Sequence, residues 1–277
     1  MAVMRNLRDR VAVVTGAASG IGRATSVALA REGCDLALAD VNDAGLQDTA
    51  AEVRALGRRA RTDHVDVSDK ERMRRYAEEV FAEYGKVNVL VNNAGVTITA
   101  DFEEHSLEDW EWIVGINFWG VVYGCKFFLP YLKRADGAHI VNVSSVFGFL
   151  GVPGQSSYCA TKFAVRGLSE ALWVELKDSG IGVTSIHPAG VRTNIAKAAR
   201  TKEEGKKAEA INVIERYSVP PERCAHLIVE AIKKNKMRQL VARESYLIDL
   251  AKRLAPALPQ RILLSGRRRG VGTGGAH

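Results

Sequence analysis

Tyr158 and Lys162 stand four residues apart in the run SSYCATKFAVRG, which is otherwise helical in character. Residues at i and i+4 share one face of a helix, so the ammonium lies one turn from the phenol. A free tyrosine titrates at about 10, and a neighbouring cation favours its phenolate; each unit of such a shift amounts to about 1.4 kcal/mol. A tyrosine activated in this way can take a proton from a hydroxyl. Taken alone the pair is weak, because the same spacing suits an amphipathic tyrosine beside a solvated lysine.

A second group of residues suits a phosphate. The stretch VAVVTGAASGIGRATSVALAREG reads as strand, glycine turn and helix, with Gly16, Gly20 and Gly22 at the turn and Ser19 and Ile21 between them. Glycines let the backbone approach a pyrophosphate, and the helix start offers free N–H groups and a positive dipole end. The glycine spacing departs from the general G-x-G-x-x-G fingerprint. A literal match at Gly270, Gly272 and Gly275 has no strand before it and no helix after it, and we set it aside.

Asp40 closes the next strand, 20 residues after Gly20. An acid there would bond the adenosine ribose hydroxyls and repel a 2′-phosphate. Ala18, Ser19 and Val41 offer no cation to offset it, and Arg23 is expected to point along the helix after the turn. NAD is therefore expected ahead of NADP.

The elements that must position these groups alternate along the chain. Strand candidates are residues 11–15, 35–40, 60–67, 87–93, 139–145, 182–188 and 238–242, with helices between them. This order predicts an α/β, doubly wound Rossmann fold, a single domain of about seven mostly parallel strands, with its ligand at their carboxyl ends. The dinucleotide-binding and catalytic domain is expected over residues 1–255, with a substrate lid at about 194–218, where the chain turns polar and charge-dense after a strand end. Residues 256–277 are expected to form a basic, flexible tail.

Read together, these residues resemble the short-chain dehydrogenase/reductase family. The likeness runs from about residue 9 to 195, and more loosely to 245, through TGAASGIG at 15–22, DV at 66–67, NNAG at 92–95, IN at 116–117, NVSS at 142–145, YCATK at 158–162 and PAGVRT at 188–193. The resemblance implies a catalytic tetrad of Asn117, Ser145, Tyr158 and Lys162. Ser145 is a better match than Ser144 because it precedes Tyr158 by thirteen residues. It also implies that Asp66 and Val67 hold the adenine, that Asn93, Ala94 and Gly95 line the adenosine ribose, and that Pro188, Val191 and Thr193 border the nicotinamide. Lys162 would reach the nicotinamide ribose, with Tyr158 beside it. Ala189 departs from the family pattern, which usually has glycine after the proline.

The chemistry this implies is hydride transfer between NAD and a secondary alcohol or ketone. Tyr158 would move the hydroxyl proton, Ser145 would donate a hydrogen bond to the substrate oxygen, and Asn117 would hold a water linking Lys162 to solvent. No metal is required. The loop VFGFLGVPGQSS between Ser145 and Tyr158 puts Val146, Phe147, Phe149, Leu150 and Val152 near the reacting centre, with Phe147 and Val152 the candidate pocket residues. A hydrophobic substrate, steroid, aromatic or aliphatic, is expected over a polyol. The alternatives are an NADPH-dependent ketoreductase and a nucleotide-sensing protein that kept the fold and lost the chemistry.

Composition narrows the partners. The net charge is +7, yet residues 251–277 hold six Lys and Arg and no acid, which leaves (39 − 6) − 32 = +1 for the rest. The body carries no broad basic field, so nucleic acid is not an expected partner. Solvation is the default for the tail, and a peripheral membrane or polyanion contact through RILLSGRRR is the alternative. No uninterrupted run reaches the ~18 apolar residues of a membrane span, and the charged start does not read as a signal. The four cysteines lie far apart without CxxC spacing and read as reduced thiols, which fits a cytoplasmic protein. Apolar residues on the helices at 107–133 and 156–179, among them Trp110, Trp112, Phe127, Leu168, Leu172 and Trp173, together with the family habit of packing this pair of helices on a second subunit, lead us to expect a homodimer or homotetramer.

Overall fold

Short β-branched runs that are apolar at every position can be buried on both faces, and this chain assembles them into one sheet. In the computed structural model, which describes residues 4–192, 195, 199–201 and 219–271 (266–271 by backbone alone), seven parallel strands lie in the order β3-β2-β1-β4-β6-β7-β9. They are β1 (Val11–Thr15), β2 (Asp35–Asp40), β3 (Ala60–His64), β4 (Val89–Asn92), β6 (Ala138–Val143), β7 (Ile181–His187) and β9 (Arg238–Leu240). Two further short strands, β5 (Ile98–Thr99) and β8 (Arg200–Thr201), pair in parallel with each other.

Successive strand residues face opposite sides of the sheet, and each side has its own core. Val14, Leu36 and Leu38 meet helices α1 (Gly20–Arg31), α2 (Asp43–Ala55) and α7 (Pro221–Lys233) through Leu29, Val53 and Ile228. Val13, Ala37 and Leu90 meet α3 (Lys70–Tyr84), α5 (Gly120–Leu132) and α6 (Ser156–Glu175) through Met73, Phe128 and Val165. The strand order reverses between β1 and β4, the crevice at which doubly wound sheets bind ligands. The expected single Rossmann domain is thus what the chain builds.

Several boundaries differ from the expectation for physical reasons. The third strand stops at His64, because the Asp66 carboxylate accepts from the Ser68 amide at 2.9 Å and its hydroxyl at 2.7 Å, curling the chain into a turn. Asp66 and Val67 therefore sit just beyond the strand. The long helix after β5 is α4 (Leu107–Val114), a single π-helical turn at Gly115–Trp119, then α5. Within Leu107–Leu132 an 18-residue window has a mean hydropathy of 1.4, long and apolar enough to cross a membrane by composition, but Val121, Cys125 and Phe128 along it pack into the sheet core.

Of the segment expected to be a lid, only Ile195 and residues 199–201 are described, and the remainder lies outside the described residues. At the C-terminus, α8 (Arg243–Leu254) and α9 (Leu258–Val271) follow β9. The stretch expected to be a flexible tail is thus helical as far as Val271, and Gly270 of the literal glycine fingerprint lies inside that helix.

Candidate active site

The glycine turn joins β1 to α1 by a close approach that tolerates no side chain. Gly16 has φ +65°, and a Cβ on it would stand 2.8 Å from the Ala94 Cα; one on Gly22 would meet the Gly16 carbonyl oxygen at 1.9 Å. Asn93 holds the turn from the neighbouring strand end, donating from Nδ2 to the carbonyls of Thr15 (3.0 Å) and Gly16 (3.1 Å). At the end of β2, Asp40 Oδ2 accepts from the Ala18 amide at 3.0 Å and Oδ1 from the Asn42 amide at 3.0 Å. Arg23 is drawn away from Asp40, its Nε donating to Glu52 on α2 at 2.8 Å. It lines a separate groove between α1 and α7.

Ser145 follows β6, and its Oγ donates to the Pro188 carbonyl at 3.5 Å. Its Oγ accepts from the Phe147 amide at 3.1 Å, capping a 3-10 turn at Val146–Gly148. Ser144 points the other way and donates to the Lys162 carbonyl at 2.8 Å. A Cβ on Gly148 would come within 2.4 Å of Ser144 Oγ and 2.8 Å of the Lys162 carbonyl oxygen, so glycine is what lets this turn press against α6.

Tyr158 lies in the first turn of α6 and Lys162 one turn on, as the i, i+4 spacing requires. The Lys162 Nζ donates to the Val143 carbonyl at 3.0 Å and stands 5.5 Å from the Tyr158 ring centre. Burial acts on the two in opposite directions. It pushes the phenol up to about 12, opposed by a hydrogen bond with Ser145, and the ammonium down to about 8. Burial therefore decides the tyrosine in the protein alone, where it rests as a neutral acid, and the expected depression by its lysine is not among the causes of its shift.

Asn117 occupies the π-helical turn, where one extra residue per turn redirects a side chain. Its Oδ1 accepts from the Val96 amide at 2.8 Å, and its Nδ2 donates to the Val96 carbonyl at 2.9 Å and to Thr161 at 3.2 Å. These bonds clamp the loop after β4 against α6. A Cβ on Gly95 would fall 3.2 Å from Asn117 Oδ1 and 3.4 Å from Lys162 Nζ.

One cleft of about 470 Å³ joins these groups. It runs from Gly16, Ser19, Gly20, Ile21 and Asp40, past Asp66, Val67, Asn93, Ala94 and Gly95, to Ser145, Tyr158, Lys162, Pro188 and Val191. Gly22 and Asn117 act from behind the wall, and Thr193 lies outside the described residues. Neither of the two expected pocket residues, Phe147 and Val152, is part of the cleft wall, although Phe147 touches Tyr158 edge to face with ring centres 6.1 Å apart. Val146 and Phe149 turn inward and pack on Leu240. The apolar wall comes instead from Val96, Trp112, Ile116, Val143 and Ile195, on other segments than the loop; Trp112, expected on a subunit-packing face, turns into the cleft. His187 was also missed: its Nδ1 lies 2.9 Å from the Ser145 carbonyl oxygen, and burial holds it down to about 4.

Fold and cleft together define a Rossmann-type α/β oxidoreductase. Comparison with known proteins gives the family: residues 10–204 match the short chain dehydrogenase family, and the chain belongs to it. It is 37% identical over 267 residues to SadH of Mycobacterium tuberculosis, named as an oxidoreductase, covering 95% of this chain and 97% of that one. A short chain dehydrogenase/reductase from Burkholderia phymatum, solved in complex with NAD, superposes with a TM-score of 0.85 at 31% identity, covering 92% of this chain and 96% of its own. An alcohol dehydrogenase from the archaeon Thermococcus sibiricus, complexed with 5-hydroxy-NADP, gives 0.73 at 29% identity, with 84% and 94% covered.

Proposed function

We propose that this protein is an NAD-dependent oxidoreductase that interconverts an apolar secondary alcohol and its ketone, with Tyr158 as general acid and base. The observation that carries this reading is the single cleft that runs from Asp40 and the glycine turn to Ser145, Tyr158 and Lys162.

The residues fit a dinucleotide. Gly16 and Gly22 leave a cradle that any Cβ would fill, and the start of α1 supplies amides for a pyrophosphate with no acid in its first turn. Asp40 would hold the adenosine ribose hydroxyls, Asp66 and Val67 the adenine, and Pro188, Val191 and Thr193 the nicotinamide end. When bound, the nicotinamide exchanges a hydride with the substrate carbon. Asp40 favours NAD, because Arg23 is engaged by α2 and the one cation lining this cleft among the described residues, Lys162, stands beside Tyr158 and not beside Asp40.

Around the substrate the chain moves one proton. In ketone reduction the neutral Tyr158 phenol gives its proton to the carbonyl oxygen; in alcohol oxidation its phenolate takes the hydroxyl proton. Ser145 donates to the substrate oxygen, and the Lys162 ammonium steadies the phenolate. Trp112, Ile116 and Val96 exclude water and favour an apolar substrate, with Phe147 packed on Tyr158.

The test is NADH formation by wild type and Tyr158→Phe across steroid, aromatic, aliphatic and polyol alcohols, repeated with NADP. Turnover of apolar alcohols with NAD, lost in the phenylalanine variant, is the expected result. A preference for polyols would refute the substrate class, and turnover retained in the variant would refute the role of Tyr158.

Two further readings follow from surface and thiols. Trp119 is exposed on the π turn before α5, and Phe163 and Val174 on α6, with Tyr123 and Phe127 of α5 and Leu172 of α6 half-buried. This face would be covered in a homodimer or homotetramer, which sedimentation velocity reads directly. The four cysteines are free and buried, in keeping with a reducing, cytoplasmic setting.

A further inference from the structure

The densest group of exposed apolar side chains among the described residues lies at the C-terminus. On α8, Leu247, Leu250 and Leu254 are 70%, 54% and 78% exposed, spaced to share one stripe of the helix; on α9, Leu258 and Ile262 continue it at 47% and 63%. Each helix spends few side chains on the body. Helix α8 is held by Ile248, which packs on Val146, Phe149 and Leu240, and by Asp249, which takes two bonds from Arg238 at 2.8 and 3.1 Å. Helix α9 packs chiefly against α8, and Lys252 braces the corner by donating to the Pro256 carbonyl at 2.9 Å and to Gln260 at 3.2 Å.

Cations border the same stripe. Arg243, Arg253 and Arg261 are exposed, and Arg267, Arg268 and Arg269 follow in the sequence with no acid after Asp249. Protruding leucines interleaved with basic residues on one pair of helices are the pattern of a helix that lies in a lipid interface. A second copy of the chain would oppose these cations with identical ones, since a two-fold interface pairs a patch with itself. The stripe is a ridge and not a groove, so it suits a soft surface better than the pocketed face of a folded acidic protein.

We propose that the outer face of α8 and α9 is a peripheral docking surface for anionic phospholipid membranes. Ile248 of α8 touches the turn that follows Ser145, so docking there sets the substrate end of the cleft beside the bilayer. Vesicle binding is read without turnover, so the inference stands apart from the oxidoreductase reading.

The experiment is co-sedimentation of the full chain with phosphatidylcholine vesicles, with and without phosphatidylglycerol, at rising salt. Strong binding to the anionic vesicles and weak binding to the neutral ones is expected. Arg253→Gln with Arg261→Gln should weaken it by about fivefold for each cation removed. Leu247→Ser, Leu254→Ser and Ile262→Ser together should weaken it by at least tenfold. The three apolar side chains project into solvent, so the urea midpoint of the serine variant should not change, whereas Arg253 also pairs with Asp249 at 3.1 Å. Equal indifference to both vesicles overturns the proposal. So does binding that the serine variant retains, which would mark a polyanion site served by charge alone. Loss of self-association in the serine variant, with no vesicle binding by wild type, overturns it in favour of a second copy.

Discussion

His187 holds the backbone at Ser145: its Nδ1 lies 2.9 Å from the Ser145 carbonyl oxygen, and its Nε2 lies 3.0 Å from Ser185 Oγ. A carbonyl can only accept, so Nδ1 carries the hydrogen and Nε2 accepts from the serine hydroxyl. Burial keeps the ring neutral, which this tautomer needs. Replacing it with alanine leaves the Ser145 carbonyl only the Gly148 amide, at 2.9 Å, and leaves the buried Ser185 hydroxyl without its acceptor, a loss of about 1–3 kcal/mol. Ser145 would also be free to shift, and small displacements near a reacting atom are costly. We therefore expect His187→Ala to lower kcat by at least about tenfold while the KM for the dinucleotide holds. His187→Asn, which retains a side-chain donor, should recover part of it. Steady-state kinetics on the three proteins checks both statements.

Two buried histidines make stability depend on pH with a definite sign. His139 lies within β6, its Nε2 2.7 Å from Thr184 Oγ1, and burial lowers it to about 3; His187 is lowered to about 4. Both ordinarily titrate at about 6.5, so below that value the unfolded chain binds protons that the native one does not. Stability is therefore complete above about pH 6.5 and falls as pH drops towards the folded values. At about pH 5 each histidine costs about 2 kcal/mol, from about 1.4 kcal/mol per unit. Urea unfolding at about pH 7 and pH 5 should show this loss, and His139→Gln should remove about half of it.

How much of this was legible depended on how local the cause was. The runs VAVVT and DLALAD read as strands because a parallel strand buried on both faces is apolar throughout, and the glycine turn read correctly because β1 and α1 flank it. The tetrad positions could be located by motif alone. His187 could not: a histidine inside an apolar strand has no local mark, and its partner is 42 residues away. Nor could the fate of Val146 and Phe149, since the 3-10 turn and the Leu240 contact decide which way they face. The helix over Leu258–Val271 was hidden by Gly and Arg composition that argues for a loose tail.

The opposed shifts of Tyr158 and Lys162 predict different pH profiles for the two directions of reaction. Ketone reduction needs the protonated phenol, which is the resting form, so its rate should be flat from about pH 6 to 8. Alcohol oxidation needs the phenolate and should rise with pH over the same range. Tyr158→Phe should lose about 10²–10⁴-fold in kcat in both directions while still quenching NADH fluorescence on binding. A rise with pH in both directions would place the controlling titration elsewhere.

On the proposed function, Asp40 would decide between the two dinucleotides by charge. Its carboxylate closes β2 at the cleft, engaged only by the amides of Ala18 and Asn42 among the described residues, with Arg23 turned to Glu52. A 2′-phosphate brought here meets one negative charge and no free cation, whereas ribose hydroxyls meet an acceptor. Asp40→Ala removes the repulsion and the acceptor together. It should lower kcat/KM for NAD and raise it for NADP, shifting their ratio by at least about tenfold, since a single unfavourable contact of about 1.4 kcal/mol is worth that factor. Adding a base with Val41→Arg, where the side chain is 57% exposed beside the aspartate, should carry the ratio further towards NADP. Kinetics with both cofactors on the wild type, the single and the double variant measures each step, and an unchanged ratio in Asp40→Ala would show that the ribose is bound elsewhere.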